Sequence, residues 1–392
     1  MLEPAGRAAQ IEPFRVMSLL AEARQLEGEG RDIVHMEVGE PDFITATPII
    51  QAGIEALQAG HTHYTAATGL PQLRQAIADW YGHNYQLDIA ANRVIVTPGA
   101  SGALLLAFGA LLERDRQVML ADPGYPCNRH FARFIEGRVN TVNVDASSNF
   151  QLNATLVAKH WNQQTDLLLL ASPSNPTGTV LEQNQLAQIS EQVRQRDGQL
   201  IVDEIYHGLT YDGFVAPTVL SVDEGAIVIN SFSKFFGMTG WRLGWLVVPE
   251  RCVAVMDKLA QNLFLAAPTV AQHAALAAFQ PETLQILEQR RQAFEQRRDH
   301  LLLGLKRLGF IIDSPPRGAF YIYADCSALL DKETPDSIQL CQRLLHEAGV
   351  AVTPGVDFGQ HGAAHHCRFA YTNELNRLDE ALIRIGDWLQ QR

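Results

Sequence analysis

Between residues 48 and 280 the chain alternates short apolar runs with stretches in which apolar residues recur at helical spacing. The runs are Val94–Thr97, Val118–Ala121, Val139–Val144, Leu167–Ala171, Leu200–Asp203, Ile227–Asn230 and Leu243–Val248; helical stretches fall at 101–112, 127–136 and 182–196. A strand without polar alternation has to be covered on both faces, and intervening helices supply that cover. The pattern therefore predicts an α/β body built on a mostly parallel sheet.

Downstream the rhythm changes. An amphipathic helix is predicted over 282–307, then a strand at Ala319–Ala324, a helix near 336–347, strands at Val350–Val352 and Cys367–Ala370, and a last helix near 376–391. A helix over 15–28, ending in glycine, precedes the alternating part. A chain of 392 residues exceeds one ordinary core. We expect a large domain over 48–285 and a smaller α+β domain from 1–47 with 286–392.

Composition narrows the function. Hydrophobic residues make up 47% and charged residues 19%, as in a globular enzyme, and the formal net charge is −12. That charge disfavours a nucleic-acid partner, which needs a basic footprint. The five cysteines, Cys127, Cys252, Cys326, Cys341 and Cys367, form no CxxC pair, which fits a reducing compartment. The N-terminus lacks a basic region followed by an apolar run, and no apolar run approaches a membrane span. A cytoplasmic protein is expected.

Ligands of open α/β sheets bind beyond the carboxyl ends of the strands. Five unusual segments fall there: TPGASG (97–102), DPGYP (122–126), SPSNPTG (172–178), DEIY (203–206) and SFSK (231–234). Lys234, just past a buried strand, is placed for desolvation, which exposes a neutral amine able to attack an aldehyde. Residues 98–102 open a helix whose N–H groups suit an anion, or form a plain cap. Asp203 suits a protonated ring nitrogen, or caps a turn. Asn175 and Tyr206 suit a ring oxygen, or serve as turn and packing residues. Tyr125 suits stacking on a planar ring, or is a turn aromatic. Arg368, within an apolar strand, requires a partner: a substrate carboxylate or an internal salt bridge.

Together these residues resemble the fold-type I pyridoxal-phosphate enzymes, specifically the class I aminotransferases that include aspartate, alanine and aromatic aminotransferases. The ordered motifs GEPDF, HYTAATGLPQLRQAIA, VTPGASGAL, DPGYP, SPSNPTG, DEIY, SFSKFFGMTGWRLGW, RGAFYIY, PGVDFG and CRFAYT carry the resemblance from Gly39 to Arg368. It implies a large domain with a mostly parallel seven-stranded sheet, a smaller α+β domain, and pyridoxal 5′-phosphate as cofactor. Lys234 would be the Schiff-base lysine and proton carrier, Asp203 the partner of the ring nitrogen, and Asn175 and Tyr206 the holders of the ring O3′. Tyr125 would stack on the ring. Ala100, Ser101, Ser231, Ser233 and Arg242 would bind the phosphate, joined by Tyr64 of the partner subunit in a homodimer. Gly39, Asn175 and Arg368 would bind the substrate, Gly39 and Arg368 at its α-carboxylate.

The implied activity is transfer of an amino group from an L-amino acid to a 2-oxo acid by a ping-pong mechanism. No second cation for a distal carboxylate stands out, Arg317 being the one exception and expected in solvent, while Ile11, Phe14 and Phe264 look like pocket apolars. The expected donors are therefore neutral, apolar or aromatic. A C–S lyase of the same fold shares the cofactor shell, and a non-catalytic sensor domain would need a fused DNA-binding part. His361 and His365 have i, i+4 spacing, but glycines around them argue for a loop rather than a metal site.

Overall fold

The computed structural model describes Glu3 and residues 5–392. Met1, Leu2 and Pro4, which fall in the expected small domain and N-terminal segment, lie outside the described residues. The strands in chain order are β1 (Val34–His35), β2 (Val94–Thr97), β3 (Gln117–Asp122), β4 (Arg138–Asn143), β5 (Thr165–Ala171), β6 (Gln199–Asp203), β7 (Ile227–Ser231), β8 (Gly244–Val247), β9 (Tyr321–Asp325), β10 (Val350–Ala351), β11 (Thr353–Pro354) and β12 (His366–Ala370).

The main sheet has seven strands in the order β2-β8-β7-β6-β5-β3-β4. Only β8 runs against the rest, pairing antiparallel with both β2 and β7. Side chains alternate across this sheet as the pleat requires. The core of this body has two layers: Val94 and Val96 enter one with Leu168, Leu170 and Val202; Ile95, Leu167, Leu169 and Ile201 enter the other, on the opposite face. Helices cover both faces, which is why the runs carry no polar alternation. The expected mostly parallel seven-stranded sheet is thus present.

A second core surrounds the antiparallel sheet β11-β12-β9 and includes Phe310, Phe320, Phe369 and Trp388. β1 pairs in parallel with β10, tying the N-terminal segment to this body. The helix Pro281–Arg307 joins the two cores: Leu287 packs in the first, Phe294, Leu301 and Leu305 in the second. Proline at its first turn and Lys306 and Arg307 in its last turn suit the helix ends. The helix expected near 336–347 is α-helical over Ser337–Arg343 and continues as a π turn over Leu344–Ala348, closed by Gly349 at φ 69°.

Candidate active site

Lys234 lies three residues beyond β7. The turn that carries it is pinned by Phe232 and Phe236, buried against Trp245 and Phe279 with Phe232 4.9 Å from the indole. Lys234 Nζ donates to the Gly39 carbonyl at 2.6 Å and stands 5.4 Å from the Phe320 ring centroid. Burial brings its amine down from 10.5 to about 8; Glu40 and Asp203 oppose this, and Arg368 and Arg242 reinforce it.

Asp203 ends β6, 7% exposed, with Oδ1 accepting the Ile205 N–H at 3.1 Å. Burial pushes its carboxyl up to about 7 against the pull of Lys234. A cation brought close to this carboxylate would offset that desolvation. Tyr206, three residues on, is buried, and its hydroxyl meets that of Tyr321 at 2.9 Å.

Arg368 is 2% exposed on β12, yet no acidic side chain among the described residues forms an ion pair with it. Its hydrogen-bond partners are neutral. Nη1 donates to Asn175 Oδ1 at 3.0 Å, and Nη2 donates to the Glu37 carbonyl and to Thr353 Oγ1. Its guanidinium lies 4.3 Å from the Tyr321 ring centroid and 4.7 Å from that of Phe358, and Nε has no partner. The internal salt bridge that would have explained this arginine is not there; a buried cation with a free donor suits an incoming carboxylate.

The third element is an anion cradle. The helix Gly99–Leu111 starts without a side-chain cap, so its first N–H groups, those of Ala100 and Ser101 included, are free for an anion. Gly99 has φ 70°, and a Cβ on it would lie 2.5 Å from Arg242 Nη2; a Cβ on Gly244 would lie 2.8 Å from the Ala100 nitrogen. Backbone and guanidinium thus close on one small space, which fits a phosphate. The Ser231 hydroxyl donates to the Leu243 carbonyl at 3.2 Å and accepts the Ser233 N–H at 3.0 Å, so it faces inward.

Tyr125 begins the next helix, with Phe14 edge-on to its ring at 6.0 Å. Gly39 backs onto Tyr321, whose hydroxyl would lie 1.8 Å from a Cβ there. Tyr64 stands apart, 82% exposed. Phe264 packs against the core under the helices Gly99–Leu111 and Glu250–Leu263 rather than beside Phe14. Arg317 is paired with Glu182 at 2.7 Å and lies over Phe214. His361 stands 3.9 Å from Asp145, and no group of three or more His, Cys, Asp or Glu side chains among the described residues is arranged to hold a metal ion. Sequence reasoning gave no role to Tyr321, Phe358 or Phe320. The motifs RGAFYIY and PGVDFG contain all three, but nothing in one-dimensional spacing says which ring faces Arg368 or Tyr206.

Comparison with known proteins bears on this geometry. The family model described as aminotransferase class I and II matches residues 31–385. A valine–pyruvate aminotransferase of Mycobacterium tuberculosis is 35% identical over 99% of this chain and 99% of its own. An aspartate aminotransferase of Thermotoga maritima is 34% identical over 98% of this chain and 99% of its own. The crystal structure of an aminotransferase from Mycobacterium tuberculosis, 36% identical, superposes with a TM-score of 0.95 over 100% of both chains. The chain belongs to the class I and II aminotransferase family, whose members use pyridoxal 5′-phosphate.

Proposed function

We propose that this aminotransferase moves the amino group of a neutral, apolar or aromatic L-amino acid to a 2-oxo acid in two half-reactions at one pocket. The observation that carries the reading is Arg368, a buried guanidinium that has only neutral partners and an unpartnered Nε. One such cation serves the α-carboxylate of donor and acceptor in turn, which is what a ping-pong cycle needs.

The bound cofactor supplies an aldehyde carbon for amines and a ring that accepts electrons from the substrate Cα. Lys234 would contribute the amine that holds it covalently and would carry the proton taken from the substrate Cα. Asp203 would pair with the ring nitrogen and favour its protonated form. Asn175 and Tyr206 hydrogen-bond the ring oxygen, and Tyr125 stacks on the ring. Ala100, Ser101, Ser231, Ser233 and Arg242 hold the phosphate, with Ser231 rotating its hydroxyl to do so. Gly39, lacking a side chain, leaves room for the substrate carboxylate beside Arg368.

Tyr64 of the partner subunit completes the phosphate site in a homodimer. The exposure of Ile44, Tyr64, Leu263 and Leu265 supports an interface there. The separate sheet β11-β12-β9 with its own core supports a division into a large domain over 48–285 and a small one over 1–47 and 286–392. Free thiols at all five cysteines support a cytoplasmic location. No helix among the described residues is long and apolar enough to cross a membrane.

The donor preference rests on the substrate side of Tyr125. Phe14 covers it, and two of the three arginines lining that cavity are engaged: Arg133 bonds the Gln10 carbonyl at 3.2 Å and lies 3.7 Å from Glu12, and Arg129 bonds the Asp357 carbonyl at 3.3 Å, while Arg15, exposed at the rim, is the third. The two relatives at similar identity are named for valine and for aspartate, so identity alone does not choose. A donor panel tests the reading: valine, leucine or phenylalanine should exceed aspartate in kcat/KM, with parallel-line kinetics against the 2-oxo acid. Aspartate preferred by orders of magnitude, or intersecting lines, would overturn it.

A further inference from the structure

Two motifs that lie far apart in sequence, DPGYP and PGVDFG, meet in space at a contact that the proposed chemistry leaves unused. Asp122 closes β3 and is 7% exposed. Both of its carboxylate oxygens accept the Gln360 N–H at 3.0 Å, and Oδ1 also accepts the His361 N–H at 3.3 Å. Two residues on, the Gly124 N–H donates to the Phe358 carbonyl at 2.9 Å. The approach is close: a Cβ on Gly359 would lie 1.8 Å from Asp122 Oδ1, so the loop presents bare backbone to the carboxylate. Among the described residues Asp122 has no ion pair, and its charge is met by these N–H groups. Such charge-assisted bonds are stronger than neutral ones.

The clasped loop, residues 355–362, carries Phe358, which is 1% exposed and forms one wall of the Arg368 site at 4.7 Å. Tyr321 forms the other wall, and Asn175, from the loop after β5, holds Nη1. The carboxylate pocket is therefore assembled from both cores, and the loop that carries the Phe358 wall meets the end of β3 through the Asp122 and Gly124 bonds, beside the packing of Phe358 in the main core and the Arg129 bond to the Asp357 carbonyl. We propose that Asp122 is a positioning residue: it fastens the 355–362 loop to the end of β3 and thereby sets the Phe358–Arg368 arrangement that receives the substrate carboxylate. This rests on the reading of Arg368 as the carboxylate site.

The test compares Asp122→Ala, Asp122→Asn and Arg368→Lys in the cofactor-loaded protein, with amide hydrogen exchange measured also in the cofactor-free protein. For Asp122→Ala we expect KM for amino donor and 2-oxo acid to rise at least ~10-fold, from loss of charge-assisted bonds. Exchange at Gln360 and His361 should quicken, while kcat stays within about threefold and the cofactor's visible absorbance and affinity are unchanged. Asp122→Asn keeps one acceptor oxygen and should show a smaller rise, roughly two- to fivefold, and it carries the test if the alanine variant does not fold. Unchanged KM overturns the proposal, as does unchanged exchange. A joint fall in kcat, cofactor affinity and stability does the same, because it marks a general structural role. If Arg368→Lys raises KM and Asp122→Ala does not, the clasp alone fails. If Arg368→Lys leaves KM unaltered, the carboxylate reading fails and the clasp's role falls with it.

Discussion

The hydroxyls of Tyr206 and Tyr321 lie 2.9 Å apart, joining the turn after β6 to β9 at the point where Arg368 stacks on the Tyr321 ring. Tyr206 is thereby oriented by a residue of the second core, and Tyr321 meets Tyr206 through its hydroxyl and Arg368 through its ring. Tyr321→Phe keeps the ring and removes the hydroxyl. We expect kcat/KM to fall roughly 2- to 10-fold, the worth of one net hydrogen bond, with donor KM nearly unchanged. Steady-state kinetics check this; a large KM effect with unchanged kcat would place the hydroxyl's role at the carboxylate instead.

Arg242 closes the anion cradle from an exposed position, so its removal should spare the fold. Arg242→Ala is expected to weaken cofactor binding roughly 10- to 100-fold, the scale of a charge-assisted bond to phosphate. Titration of the cofactor-free variant with pyridoxal 5′-phosphate measures it, and unchanged affinity would remove Arg242 from the phosphate site.

The lowered Lys234 pKa has a kinetic consequence. Only the neutral amine attacks an aldehyde. With the amine at about 8, the rate of cofactor capture by the cofactor-free protein should climb with pH and level off above pH 8. A rate still climbing tenfold per unit past pH 9 would show an ordinary, solvated lysine.

A stability effect is expected away from the chemistry. His35 bonds the buried Glu37 carboxylate at 2.7 Å and Glu27 at 3.1 Å, and the Glu37 bond chiefly raises its pKa from 6.5 to about 9. A raised folded-state pKa stabilises fully below pH 6.5 and loses its contribution as pH rises through 9. Allowing for partial solvent screening, the loss is on the order of 1–2 kcal/mol. Urea unfolding of wild type and His35→Gln at pH 6.5 and 9.5 reads it out: the difference between them should shrink at the higher pH, and a constant difference would contradict the pairing.

Much of the main sheet was legible in sequence because its strands are covered on both faces and so read as uninterrupted apolar runs. Val94–Thr97 matches its strand end to end, and the other runs differ by a residue or two. The residues at the carboxyl edge followed, since polar and glycine-rich segments after such runs have few structural reasons to be there. Tyr321, Phe358 and Asp122 were not assigned roles because their meaning lies in contacts across more than 100 residues of chain, between Tyr206 and Tyr321 and between Asp122 and Gln360. Arg368 needed the structure for a different reason. Its strand placement was readable, but only the surrounding neutral partners distinguish a ligand-seeking arginine from an internally paired one.

The most direct test of the account is to treat the cofactor-loaded protein with borohydride and map the product by peptide mass spectrometry. The account predicts loss of the visible absorbance and a single reduced cofactor adduct on Lys234, absent from Lys234→Ala. An adduct on another lysine, or a protein that acquires no visible absorbance with excess pyridoxal 5′-phosphate, would contradict it.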